Sequence, residues 1–352
     1  MTAKFKKSAI FMALVLLTSL LLAACSDSTA TPAKSGEAAT KVPVETLSLA
    51  LDWVPNTNHT GIYVALAKGW YAEEGIDLKI LPYSEAATPE SLIASGKAEL
   101  GIGAAEGIVS AAAAGQSLVS IAAIIQKDTS ALVTLKNSGL TSPKMLVGKK
   151  YAGFGASYEE PVINSMIKFD GGNGTFENIT ANVFGYEAVL NKQADFVWIF
   201  EGWDEIEAKL RGIDLNVIPI TKYGVPDRYT PLIETSADVI SKKSDALKRF
   251  MKATVRGYEY SITNPKDAAD LLINSNPAGT FSNKELVYKS QDYLSPKYKE
   301  GATQWGSQTL KMWTDYPRFM FQAGILKDAD NKPLTKELDY NKLFSNEFLP
   351  KN

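Results

Sequence analysis

The chain has 352 residues, enough for a large core and two lobes. Its 37 Lys and Arg against 39 Asp and Glu give a net charge of −2, a balance that argues against nucleic acid and other polyanionic partners. One cysteine and one histidine exclude disulfides, thiolate metal sites and multi-histidine metal sets, and give a Ser-His triad no firm ground.

Residues 1–25 read as an export signal. MTAKFKK carries Lys4, Lys6 and Lys7, and the apolar run AIFMALVLLTSLLLAA that follows is too short for a comfortable membrane span. The run ends in LLAAC, which resembles the lipobox of bacterial lipoproteins. Cys25 would then be diacylated and become the mature N-terminus. The alternative is an ordinary secretory signal with a chance cysteine. Residues 26–44, SDSTATPAKSGEAATKVPV, are too poor in large apolar side chains to fold and read as a flexible tether. No later stretch approaches the ~18 apolar residues of a membrane helix. The expected location is therefore the extracytoplasmic face of the cell membrane, held by the lipid anchor.

From residue 46, short apolar runs alternate with amphipathic ones: LSLAL, IYVALAKGWYAEEG, IDLKIL, PESLIASGK, AELGIG, AEGIVSAAAAG, SLVSIAAIIQ. This is the signature of βα units and a parallel sheet, with Gly75 and Gly96 as helix C-caps. A second series follows ALVTLKNSGLTSPKMLVG: KKYAGFG, YEEPVINSMIKF, ITANVF, YEAVLNKQ, ADFVWIF, EGWDEIEAKLRG and DLNVIPI. YGVPDRYTPLIETSADVI then leads into the long helix SDALKRFMKATVRGYEYSITN, and the remainder reads as nearly all helical. The order predicts an α/β chain in two lobes, 45–128 with 232–352 and 129–231, joined by two strand-like crossings. A ligand would sit in the cleft where strand C-terminal ends and helix N-termini converge.

The blocks LALDWVPNTNHTGIYVALAKGWYAEEGIDLKI, ASGKAELGIGAAEG, GLTSPKMLVGKKYAGFG, YGVPDRYTPLIETS and RFMKATVRGYEY span about 46–270. In order and spacing they resemble the solute-binding proteins of ABC importers for thiamine-pyrimidine precursors, formylaminopyrimidine or hydroxymethylpyrimidine. They also resemble the fungal hydroxymethylpyrimidine phosphate synthases. The resemblance implies a two-lobed type II periplasmic-binding-protein fold with two hinge crossings and closure on a ligand. It further implies delivery to a membrane permease and its ATPase by a monomer that needs no cofactor. Related receptors take nitrate, alkanesulfonates or heterocycles such as riboflavin. The synthases carry a cysteine-rich iron motif in the second lobe and act in the cytoplasm. This exported, cysteine-free region argues against an enzyme.

Three loops are candidates for holding the ligand. In DWVPNTNHTG (52–61), Asn58 or Thr60 would cap the following helix. Trp53 offers a flat face, and Asn56, Asn58 and His59 offer donors and acceptors that suit an aminated aromatic ring. The plainer reading has Trp53 packed under a lobe and the amides and His59 shaping the turn. In WIFEGWDEIEAK (198–209), Trp198 and Trp203 flank Glu201, whose carboxylate would accept hydrogen bonds from both the exocyclic NH2 and the ring nitrogen of an aminopyrimidine when that nitrogen is protonated. Strand alternation would instead turn Trp198 into the core. In GFGASYEEPVI (153–163), a Gly-rich corner leaves N–H groups open to an oxyanion or formyl oxygen, with Tyr158 and Glu159 beside it. Glu106 opens another helix, where a first-turn acid is favourable without any ligand. Tyr223 lies near the proposed hinge. These constellations offer carboxylates and aromatics without Arg or Lys, which favours an amine-bearing aromatic over an anion.

Overall fold

A computed structural model describes residues 43–84, 86–181 and 185–351 of the chain. The export signal, Cys25, the tether up to residue 42 and the end of the ITANVF run lie outside the described residues.

The first sheet has the order β2–β1–β3–β10–β4, built from β1 (Glu45–Ala50), β2 (Ile76–Leu81), β3 (Leu100–Gly103), β4 (Leu118–Ala123) and β10 (Leu232–Ser236). The second has the order β7–β6–β8–β5–β9, from β5 (Ser130–Leu135), β6 (Lys150–Ala152), β7 (Glu177–Ile179), β8 (Phe196–Phe200) and β9 (Leu215–Pro219). Strand β1 shows why these segments form buried strands. Leu47 and Leu49 enter one apolar cluster while Ala50 enters another, so helices cover both faces of the sheet.

The sheets are mixed, where the alternating pattern suggested parallel ones. Strands β1, β2 and β3 pair in parallel, as do β6, β7 and β8. Strand β10 runs antiparallel to β3 and β4, and β5 runs antiparallel to β8 and β9. Both β5 and β10 are the strands by which the chain enters a sheet from the other one, without a βα crossover to set their direction. The linking residues 124–129 and 220–231 contain no strand.

Helices α1 (Thr60–Ala67) and α2 (Trp70–Glu73) replace the single helix that the pattern suggested, because Gly69 adopts a left-handed conformation at φ 73° and breaks it. Gly75 and Gly96 are left-handed as well, at φ 66° and 69°. Helices α3 (Pro89–Ala94) and α4 (Ala105–Ala113) pack against each other on the first lobe. The second lobe carries α5 (Glu159–Phe169), α6 (Glu187–Leu190) and α7 (Ile206–Leu210).

After β10 the chain makes α8 (Ala237–Thr263), capped by Ser236, then α9 (Pro265–Asn274), α10 (Lys284–Leu294) and α11 (Met312–Gln322). Helices α8 and α9 pack on α1. Beyond residue 322 the chain is mostly irregular, against the expectation of helix. Turn residues explain the difference: the Asp328 side chain accepts hydrogen bonds from the backbone N–H groups of Asp330 and Lys332. This tail returns to the first sheet, where Phe344 bridges to Ser120.

The lobes touch. One apolar cluster contains Ile108, Leu232 and Tyr316 together with Leu132 and Trp198 of the second lobe.

Candidate functional site

The loop 52–59 is organised around its own side chains. Asn56 Oδ1 accepts from the Asn58 N–H at 2.9 Å, and its Nδ2 donates to the Val54 carbonyl at 3.0 Å. The Asn56 N–H donates to His59 Nδ1 at 3.3 Å, so the ring proton sits on Nε2 and points to Asp52 Oδ1 at 2.8 Å. His59 is fully buried with both nitrogens engaged. Asn56 and His59 thus shape the turn and fix the Asp52 carboxyl just beyond β1. Asn56 caps the 3-10 turn Thr57–His59, and α1 follows with His59, rather than Asn58 or Thr60, at its N-cap and with no side-chain cap. The Asn58 carbonyl accepts from Tyr258 Oη at 2.7 Å, and the Asn58 side chain is half-buried. Trp53 is 38% exposed, with its ring 4.7 Å from that of Tyr83.

The glycine-rich corner is likewise closed from within. The Glu159 carboxyl accepts from Tyr151 Oη, the Phe154 N–H at 3.1 Å and the Ala156 N–H. The N–H groups that the sequence offered to a ligand oxygen are therefore taken by the chain's own carboxylate. Burial raises the pKa of Glu159, while these bonds pull the other way. Tyr158 is half-buried beside it, its ring edge-on to Trp198 at 6.1 Å and to Phe154 at 6.0 Å.

Where the lobes meet, Arg228 is the centre of a buried cluster. Its Nε donates to Glu106 Oε1, Nη1 to Asp128 Oδ2 at 2.6 Å, and Nη2 to Ser130 Oγ at 3.1 Å. The guanidinium lies 5.5 Å from the Trp198 ring and 5.1 Å from the Tyr316 ring. Tyr316 Oη also donates to Glu106 Oε1 at 2.9 Å. Burial opposes the charge on Arg228, but Asp128 and Glu106 outweigh it and hold the group ionised. Two polar atoms in this cluster are buried without partners: Glu106 Oε2 on the first lobe and Trp198 Nε1 on the second. One is an acceptor and the other a donor.

Glu201 and Trp203 lie elsewhere. Strand β8 opens into a π-turn over Glu201–Glu205, and this corner docks on α10. Tyr293 Oη donates to Glu201 Oε2 at 2.6 Å, and Ser290 Oγ donates to the Gly202 carbonyl. Trp203 packs on the cluster of Tyr63, Leu272 and Val287. Both serve the contact between lobes, and the tryptophans do not bracket Glu201 as the sequence suggested. Tyr223 ends a 3-10 turn and packs on the core that holds Ile220 and Val225.

The structure therefore brings together Glu106, Tyr158 and Trp198, with Glu159 holding the loop below them. It adds three residues that the sequence did not single out: Arg228, Asp128 and Tyr316. Arg228 could have been noticed as a lone cation in YGVPDRYTP, but its two acidic partners are 122 and 100 residues distant in sequence. The contact between the lobes thus holds a buried cation, one paired with two carboxylates. Trp53 and Phe154 are 38% and 43% exposed just past the ends of β1 and β6, and Phe200, the last residue of β8, is 36% exposed. These exposed rings stand at the C-terminal ends of strands from both sheets. Among the described residues no helix is long and apolar enough to cross a membrane, and no group of side chains is arranged to hold a metal ion.

A family model described as NMT1/THI5 like matches residues 56–268. The formylaminopyrimidine-binding protein of Halalkalibacterium halodurans is 26% identical over 306 residues, covering 86% of this chain and 90% of that one. The 4-amino-5-hydroxymethyl-2-methylpyrimidine phosphate synthase of Legionella pneumophila is 25% identical over 235 residues, 66% of this chain and 74% of that one. The periplasmic aliphatic sulphonate binding protein SsuA from Escherichia coli superposes with a TM-score of 0.60 over 85% of this chain and 96% of that one. At 15% identity it shares the fold, that of the periplasmic binding proteins.

Proposed function

The chain belongs to the NMT1/THI5-like family, and on that premise we propose that it is the receptor of an ABC importer for a thiamine pyrimidine precursor, formylaminopyrimidine or hydroxymethylpyrimidine. It acts outside the cytoplasmic membrane, tethered by lipid on Cys25, and hands its ligand to the permease. A binding role rather than catalysis is supported by the formylaminopyrimidine-binding relative, which aligns over 90% of its own length.

The observation that supports the choice of ligand is the pair of orphaned polar atoms, Glu106 Oε2 and Trp198 Nε1, in two side chains that both neighbour Arg228. A buried acceptor and a buried donor each lose about 1–3 kcal/mol without a partner. An aminopyrimidine carries the complementary groups, an exocyclic NH2 and a ring nitrogen that accepts. The faces of Trp198, Tyr158 and Phe154 supply apolar area for the ring.

Calorimetric titration of the purified protein tests this reading with formylaminopyrimidine, hydroxymethylpyrimidine and riboflavin in turn. Saturable binding of a pyrimidine, weakened about tenfold or more by Trp198→Phe, is the expected result. Binding of riboflavin alone would reassign the cargo.

A further inference from the structure

Asp52 stands just past the end of β1 with its side chain one-third exposed, while the ring that holds it, His59, is fully buried. The turn does not need this pairing to close. Asn56 already ties it at both ends, through the Val54 carbonyl and the Asn58 N–H. Asp52 does not shape the backbone either. An acid at the start of a loop commonly accepts from a backbone N–H two residues on. Among the described residues, the hydrogen bond that Asp52 accepts comes instead from His59 Nε2–H, at 2.8 Å on Oδ1. A buried imidazole spent on one partly exposed carboxylate is an arrangement that fixes the direction of a binding group.

Strand register places this carboxylate. Strands β1 and β3 pair in parallel, with Leu49 beside Leu100 and Ala50 beside Gly101. Continued by two residues, that register sets Asp52 level with Gly103, the last residue of β3. From there the chain enters the first turn of α4, which carries Glu106. Asp52 and Glu106 therefore occupy neighbouring strand–helix corners on one edge of the first sheet, on strands about 4.8 Å apart. It is beyond this edge that α/β sheets bind their ligands. Next to Asp52, Trp53 and Val54 are 38% and 52% exposed, and the Trp53 ring lies 4.7 Å from that of Tyr83, just past β2. Apolar surface beside a directed carboxylate suits a small ring that carries a hydrogen-bond donor.

In the function proposed above, the exocyclic NH2 and the ring nitrogen go to Glu106 and Trp198. Each of the two pyrimidines has one further donor, on its side arm: the O–H of the hydroxymethyl group or the N–H of the formylamino group. We propose that Asp52 recognises this arm, its Oδ2 accepting the O–H or N–H, and that His59 is the positioning residue that aims it. This rests on the aminopyrimidine reading above and assigns the arm to the corner after β1. The acceptor is a carboxylate, so the bond is of the stronger, charge-assisted kind.

The test uses the full chain in detergent and two pyrimidines that share one ring: hydroxymethylpyrimidine, and the analogue with a methyl group in place of the hydroxymethyl arm. Calorimetry gives an affinity for each. Their ratio reads the arm alone, because damage to the fold weakens both. The parent is expected to prefer the hydroxymethyl compound about tenfold or more, the scale of one charged hydrogen bond. Asp52→Ala should bring the two affinities within about twofold, and His59→Gln should cut the preference to about threefold. Should Asp52→Ala not fold, Asp52→Asn keeps an acceptor for His59 and turns a neutral amide to the arm; its preference should also fall to about threefold. Equal affinities in the parent, or a preference that survives the change at Asp52, overturn the assignment and leave the pyrimidine reading standing. A preference that survives His59→Gln alone removes His59 from it. Binding of neither compound overturns the pyrimidine reading and the assignment with it.

Discussion

Arg228 and Glu106 form a buried ion pair that ties the segment returning from the second sheet to the first turn of α4. Asp128, on the outgoing segment, binds the same guanidinium, so both passages between the lobes meet at one side chain. Removing Arg228 leaves two buried carboxylates without a counter-charge. Arg228→Met is expected to cost about 3–5 kcal/mol of stability, measured by urea unfolding at neutral pH. Adding Glu106→Gln to that variant should recover part of the loss. A loss below about 1 kcal/mol would mean that the cluster is open to water.

Glu159 closes the glycine-rich corner by accepting from Tyr151 Oη and from the N–H groups of Phe154 and Ala156. Glu159→Ala strands three donors, and a cost of about 1–3 kcal/mol is expected in the same unfolding experiment. A phosphate or formate ion should bind weakly to the vacated N–H groups of the variant and not to the parent. If ions bind the parent equally well, Glu159 does not occupy that nest.

The chain Asn56 N–H to His59 Nδ1, and His59 Nε2–H to Asp52, fixes a single tautomer. Nitrogen NMR of the one imidazole should therefore show a protonated Nε2 and a bare Nδ1 accepting a hydrogen bond. Averaged shifts from exchanging tautomers would show that Asp52 is not held by this ring.

Much of this was legible in the chain, and the misses have physical causes. The alternation of LSLAL, IDLKIL and AELGIG with helical runs gave the α/β class, because side-chain period is a local property. The direction of β5 and β10 was not local: it depends on which sheet the chain has just left. The same holds for the site. Tyr158 and Glu106 stand at strand–helix corners, which sequence can find, while Trp198 lies in the middle of β8. Whether a corner faces a ligand, its own loop or the other lobe depends on distant residues. Glu201 looked free until Tyr293, 92 residues later, was found to bind it. Asp52 opens DWVPNTNHTG, where the rings and amides drew notice and the acid did not until His59 was found to hold it.

Asp204, in the π-turn that docks on α10, gives the last prediction. Burial pushes its carboxyl up to about 6, against the hydrogen bond from the Phe200 N–H, and the charge of Glu207 adds to the rise. The ordinary value is 3.8. A carboxyl whose folded value is raised binds its proton more tightly in the folded state. The stability it contributes is fully present below the ordinary value and is lost as the pH rises to about 6. Asp204→Asn removes that loss, so the variant should gain stability relative to the parent as the pH rises from about 4 to 6 and keep a constant advantage above it. Urea unfolding of both proteins at four pH values across this range measures the difference. A difference that does not change with pH would mean that Asp204 titrates normally and that solvent reaches the corner between the lobes.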